Sequence, residues 1–258
     1  MQENQKFHDH KHIKEFLDFK SNKFNNESFI VEDPISIPHL FTQKEDIEGI
    51  GFIVATISWG KRNTIINNGH KLIEIMGNQP HDFIMNAGTD DLKDLKFVHR
   101  TFNADDLVFF IHGLRSIYNQ FPNGLEGAFD QAETMAERIY HFRKTLLNAP
   151  HEKRSEKHVS NPLSGSASKR INMFLRWMVR NDNKGVDFGL WNKIRPSELY
   201  IPLDVHTGNV ARKLGLITRK ANDWKSLEEL MTSLRSFDPE DPCKYDYALF
   251  GLGVYGEI

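Results

Sequence analysis

Apolar residues recur at helical intervals along most of this chain, and strictly alternating stretches are not strongly signalled anywhere. From Lys11 to Phe24, the residues Ile13, Phe16, Leu17 and Phe24 repeat at near-helical spacing, and Asp33-Pro34 through Pro38 break the pattern. Ile47 to Ser58 is strongly apolar, with Ile50, Phe52, Ile53, Val54 and Ile57, and its composition suits a buried strand as well as a helix. No clear turn separates it from Asn63 to Met76, where Ile65, Ile66, Leu72, Ile73 and Met76 have helical spacing, so a helix is expected for both. The same periodicity predicts helices over Asp105 to Gln120, Leu125 to Asn148, Trp224 to Phe237 and Asp241 to Phe250. The last has Pro242 at a first helical position and Gly251 just beyond. The expected fold class is all-α.

Two stretches carry candidate chemistry. In Ile201-Pro202-Leu203-Asp204-Val205-His206-Thr207, an extended lead runs into a helix predicted for Val205 to Leu214, with Arg212 and Lys213 in its last turn and Gly215 as C-cap. Asp204 is then an N-cap, where backbone N–H groups and the helix dipole favour its ionised form and fix its position. Capping alone suffices to explain such an aspartate. Upstream, Leu163 to Arg170 is a small-residue turn before an amphipathic helix whose Ile171, Phe174, Leu175 and Met178 face a core. The backbone donors of Ser164, Gly165, Ser166 and Ser168 are candidates for binding phosphate. Lys169 opens the helix, where a solvated lysine is the ordinary reading. Arg170 and Arg176 are phosphate contacts or ordinary exposed charges.

Together these stretches resemble the helix-hairpin-helix (HhH-GPD) superfamily of DNA glycosylases. Leu163 to Asn172 looks like its hairpin element. Ile201 to Leu216 looks like the segment that follows, with apolar residue, Pro, apolar residue, Asp, any residue, His, and then a helix ending in Lys-Leu-Gly. Ser58-Trp59-Gly60-Lys61-Arg62 resembles the early loop of the same fold, and the whole chain is similar to a bacterial family distantly related to archaeal 8-oxoguanine DNA glycosylases. The resemblance places Lys169 on the Schiff-base lysine and Asp204 on the essential aspartate. It implies one compact unit of two lobes with a cleft between them: roughly 60–175 as a central lobe ending in the hairpin, and 1–59 with 198–258 as the second. It further implies excision of a damaged base, an oxidised purine such as 8-oxoguanine, from duplex DNA, with an AP-lyase step. The chain departs from the pattern at Ser164, where the family has Pro, and at Ala167, where it has a second Gly. The interval from Lys169 to Asp204 is long, and 181–197 reads as a polar inserted loop.

Composition changes this picture at a few points. A chain of 258 residues, 39% hydrophobic, can bury a substantial core. Its formal charge of −2 gives no bulk attraction to nucleic acid, so DNA affinity has to come from a local basic surface. His151 to Arg170 supplies one, with Lys153, Arg154, Lys157, Lys169 and Arg170 against Glu152 and Glu156, although such a run is also what a solvated loop looks like. The single cysteine, Cys243, excludes an intrachain disulfide and a four-cysteine iron–sulfur site, and no cofactor or metal is expected. No apolar run reaches the ~20 residues needed to span a bilayer. Met1 to Lys14 lacks a signal-peptide core, so a cytoplasmic location is expected.

Other candidates are aromatic or imidazole side chains. Trp59, Trp191 and Phe250 are candidates for a pocket that stacks on a flipped base, with core packing as the competing reading, and Trp177 reads as core. His206 is expected to touch phosphate or to order its loop. His8, His10 and His12 alternate as a metal site on a strand would, but lack a carboxylate or cysteine partner. Two rival functions use the same residues: a non-catalytic DNA-binding scaffold in which Asp204 only caps its helix, and a protein- or small-molecule-binding module on the same fold.

Overall fold

The computed structural model describes residues 10–258, and its regular structure is almost wholly helical. In chain order the helices are α1 (His10–Phe24), α2 (Ser28–Val31), α3 (Lys44–Thr56), α4 (Arg62–Ile75), α5 (Pro80–Asn86), α6 (Thr89–Lys93) and α7 (Ala104–Gln120). They continue with α8 (Gly124–Phe129), α9 (Met135–Leu146), α10 (Lys169–Val179), α11 (Val205–Lys213), α12 (Trp224–Phe237) and α13 (Tyr245–Tyr255). A short antiparallel ribbon, β1 (Val98–His99) and β2 (Phe102–Asn103), precedes α7.

Local chemistry explains where the predicted elements held and where they moved. The apolar stretch that starts at Ile47 is helical and buried as far as Thr56, packed on the helices α10 and α5, and Ile57 and Ser58 lie past the helix end. The single helix expected over 125–148 is broken after Phe129. Thr134 caps a new helix by accepting from the Glu137 N–H while the Glu137 carboxylate reaches back, a capping box that outweighs continuity of the apolar pattern. The helix expected to stop at Phe250 runs on to Tyr255. Gly251 is no cap: it is the point where α13 meets α1, and any Cβ there would run into the Phe24 ring.

Helix α10 is the centre of the molecule. Every residue from Ile171 to Val179 is buried, and α10 packs across α3. The aromatic core beside it is Phe52, Phe129, Phe142, Phe174 and Trp191, with the Phe129 and Phe142 rings stacked 3.9 Å apart. Helix α1 lies along α13, which also carries α11. Helix α3 falls in the 1–59 span that the resemblance groups with the C-terminal helices, and it packs chiefly on α10 and α5.

Residues 181–197, expected to be an inserted loop, lack regular structure until a 3-10 turn at Pro196–Glu198, and the middle of the segment folds inward. Val186, Asp187, Trp191 and Ile194 are buried, and the N–H groups of Phe188 and Trp191 donate to the carbonyls of Trp177 and Met178. Trp191 Nε1 donates to Glu48 Oε1 at 2.6 Å, and Glu126 accepts from the Asn192 and Lys193 N–H groups, so acidic side chains of α3 and α8 hold this segment down.

Burial lifts the Glu48 carboxyl to about 7, against the pull of the Trp191 N–H and the Lys44 ammonium. The folded chain therefore holds this proton more tightly than the unfolded one. The resulting stabilisation is present below the unfolded value near 4.5 and is lost as pH rises through 7. Glu48→Gln, which keeps an acceptor for Trp191, is expected to flatten that fall. By thermal melts, the variant gains on the native chain between pH 5 and 8, by about 3 kcal/mol at most.

Candidate functional site

The helix starts of α10 and α11, the loop before α4 and one face of α13 converge on a cavity of about 720 Å³. That volume lies within the range of about 300–1,000 Å³ common for small-ligand clefts. Lys169 and Asp204, far apart in sequence, both line it.

Lys169 is the first residue of α10, and Met173 and Arg176 follow it at helical spacing, so the three form one stripe facing the cavity while Ile171, Phe174, Leu175 and Met178 face the core. Lys169 is half-buried and, among the described residues, makes no ion pair. The residue before it, Ser168, is buried in a left-handed conformation with φ 48°, a strained backbone at the point that aims the lysine.

Asp204 caps α11 as expected, its Oδ1 accepting from the Thr207 N–H at 2.9 Å. Asn222 holds it from behind, donating to the Asp204 carbonyl at 2.9 Å. The side chain is not sealed: Asp204 is half-buried and lines the cavity with Oδ2 outside the cap.

Two buried acids that line this cavity, Asp33 and Asp246, were not among the candidates. Asp246 is buried and accepts from the Arg176 guanidinium. Burial lifts its carboxyl to about 6, with the Asp204 charge adding to the rise and Arg176 and Lys169 opposing it. Asp33, also buried, is raised for the same reason. Arg176 is neither an exposed charge nor a free phosphate contact. It is 3% exposed, is held by Asp246 and Asp187, and lies 4.5 Å from the Tyr247 ring centre. Its burial is offset by these carboxylates, which keep the guanidinium firmly charged. A signal for Asp246 was present: one acidic residue in an apolar helical run, with Phe250 and Val254 following on the same face.

Of the aromatic candidates, Trp59 and Phe250 line the cavity and Trp191 does not. The Trp59 ring is fixed by His158 stacked at 5.8 Å, His99 edge-on at 4.9 Å and the Arg170 guanidinium at 4.8 Å. Phe250 meets Phe29 edge-to-face at 6.1 Å and carries Arg62 on its face. Trp191 is 2% exposed, in the core against Phe129 and Phe174, because the segment that carries it is folded inward. Trp177 is fully buried.

The proposed phosphate contacts divide. The four hairpin donors expected to bind phosphate are all taken within the turn. The N–H groups of Ser164 and Ser166 donate to the Asn161 carbonyl, Gly165 to Pro162, and Ser168 to Ser166 Oγ, since the turn at Pro162–Ser164 closes on itself. Its exposed surface is the Leu163, Ser164 and Gly165 side facing solvent. In the first turn of α10, whose N–H groups a helix leaves without internal acceptors, Lys169 and Arg170 line the cavity. Arg170 donates to the Thr56 carbonyl while lining the cavity. Arg154 is withdrawn, bound to Asp106, Glu152 and Asn103, and Lys157 is exposed but does not line the cavity. His206 is exposed at the rim and packs over Gly253 of α13.

Among the described residues no group of three or more His, Cys, Asp or Glu side chains is arranged to hold a metal ion, and no helix is long and apolar enough to cross a membrane. Of the alternating histidines, His10 and His12 lie on α1, His10 edge-on to Phe237, and His8 lies outside the described residues.

No curated protein and no solved structure matches the chain. A family described as a protein of unknown function (DUF2400) matches residues 33–255, a span that holds Lys169, Asp204 and Asp246 together with the loop and helices that position them. With most of its length inside that match, the chain belongs to the DUF2400 family.

Proposed function

We propose that the chain is a DNA N-glycosylase with an AP-lyase step, acting on a damaged base in duplex DNA through Lys169 and Asp204. The observation that carries this reading is that both side chains line one open cavity with aromatic walls. An aspartate serving only as a cap has no need of a cavity or of an unpaired lysine lining the same one. In this reading the fold is the two-lobed helix-hairpin-helix type, with the cavity as its interlobe cleft.

The damaged nucleotide swings out of the duplex, at the cost of a few kcal/mol of stacking and pairing, and its base enters between Trp59 and Phe250. Lys169 loses a proton to Asp204, and its neutral Nζ attacks C1′ of the deoxyribose. The N-glycosidic bond breaks and its electron pair leaves with the base, which takes up a proton. Asp204 also offsets the positive charge that builds on the sugar. Opening of the sugar ring gives a Schiff base between Lys169 and C1′. Loss of a C2′ proton then expels the 3′ phosphate and nicks the strand. An oxidised purine, 8-oxoguanine in particular, is the expected lesion, carried by the resemblance of the two motifs.

The test is borohydride trapping on duplexes holding 8-oxoguanine, uracil or an abasic site. A lesion-dependent covalent adduct supports the reading. Tight, salt-sensitive DNA binding with neither adduct nor base release on any lesion favours the non-catalytic scaffold, for which the Asp204 cap is the supporting observation. No binding to any duplex would point to a protein or small-molecule partner.

A further inference from the structure

We infer that the β1–β2 ribbon is a second nucleic-acid grip beside the cavity mouth, with Arg100 at its tip as a phosphate contact. The inference rests on the DNA reading above.

The ribbon pairs Val98 with Asn103 and His99 with Phe102, leaving Arg100 and Thr101 at the turn. Arg100 has φ 56°, left-handed backbone that glycine or asparagine adopts far more readily. A residue held there against its preference is a pointer to function when the turn itself does not need its side chain. This turn does not: among the described residues Arg100 makes no hydrogen bond or ion pair, and it is exposed. Its side chain instead lies over Gly60, a cavity-lining residue at φ 105°, where an added Cβ would sit 3.0 Å from Arg100 Nη1. Glycine at position 60 thus makes room for this arginine at the mouth.

The ribbon is also rigid where it meets the cavity wall. His99, 2% exposed, is bound through Nε2 to the Trp59 carbonyl at 3.0 Å and through Nδ1 to Asn68 at 2.8 Å. Phe102 is fully buried against Phe97 and Phe110. One end of the ribbon therefore fixes Trp59 and the other holds a free guanidinium beside it. Lys61, exposed and likewise without an ion pair, is next to Gly60, so unpaired cations sit on this side of the mouth as Lys169 does within it. A guanidinium carried on a backbone held in place suits phosphate oxygens, and such contacts set position without reading sequence. The phosphates nearest an everted nucleotide are the matching chemistry.

The experiment is anisotropy with a labelled duplex carrying a stable abasic analogue, across about 50–200 mM salt, for the native chain, Arg100→Gly and Arg100→Asn. Lys144→Gln, an exposed lysine of α9 that does not line the cavity, is the control. Both Arg100 variants are expected to keep or raise the thermal midpoint, because the new residues accept the left-handed turn. They are expected to bind several-fold more weakly at low salt, with the slope of log K against log salt shallower by about 0.9, while the control keeps the native slope. An unchanged slope in both variants overturns the grip and leaves the proposed function standing. A lower midpoint in both with an unchanged slope marks Arg100 as structural and overturns it too. If the native chain shows no salt-sensitive DNA binding, both proposals fall together.

Discussion

Lys169→Gln is expected to abolish the borohydride-trapped adduct on every lesion and to slow base release by on the order of 10⁴-fold or more, since the covalent route is removed rather than weakened. The fold should survive. Lys169 is half-buried at the first position of α10, makes no ion pair and contributes no core packing, so the thermal midpoint should stay close to native. Duplex binding should persist as well, because Arg62, Arg170 and the α10 first turn remain in place. Loss of chemistry with retained binding and stability separates a nucleophile from a lysine that merely touches phosphate. If the variant keeps trapping DNA, another amine is the nucleophile.

Asp204→Asn separates the two roles of the aspartate more finely. Asparagine is about as good an N-cap as aspartate, so the Thr207 bond can be kept and stability should change by less than about 1 kcal/mol. It cannot accept the Lys169 proton or offset charge on the sugar, so base release should fall about 10²–10⁴-fold, the range for losing a general base or a well-placed charge. Single-turnover assays alongside thermal melts read both effects. Native rates in Asp204→Asn would reduce Asp204 to a cap and sink the catalytic reading.

What the sequence made legible was local. The Pro, Asp and Gly around α11, and the apolar stripe of α10, fixed those helices and placed Lys169 and Asp204 at their starts, because caps and periodicity act within a few residues. What it hid was which distant groups would meet. Trp191 lay in a polar, glycine-containing stretch and read as a loop aromatic free to stack on a base. Its Nε1 instead found Glu48, on a helix at the other end of the chain, and that bond turned the segment inward. Arg176 and Asp246 were each unremarkable as single charges. Only the folded chain brings Arg176 of α10 against Asp246 of α13 as a buried pair at the cavity, with Asp187 from the same inward-folded segment completing the set. Arg154 shows the reverse: a basic run suggested DNA contact, and Asp106, in the first turn of α7, claimed the side chain.

The central claim is that Lys169 is the atom source of a covalent bond to DNA in the cavity it shares with Asp204. The most direct measurement is to reduce the complex formed with an 8-oxoguanine or abasic duplex, digest both components, and locate the sugar remnant by mass spectrometry. The account predicts one modified peptide, with the remnant on Lys169 and cleavage after that residue blocked. A remnant on another amine, Lys61 for instance, or no cross-linked peptide from a preparation that binds the duplex, would contradict it.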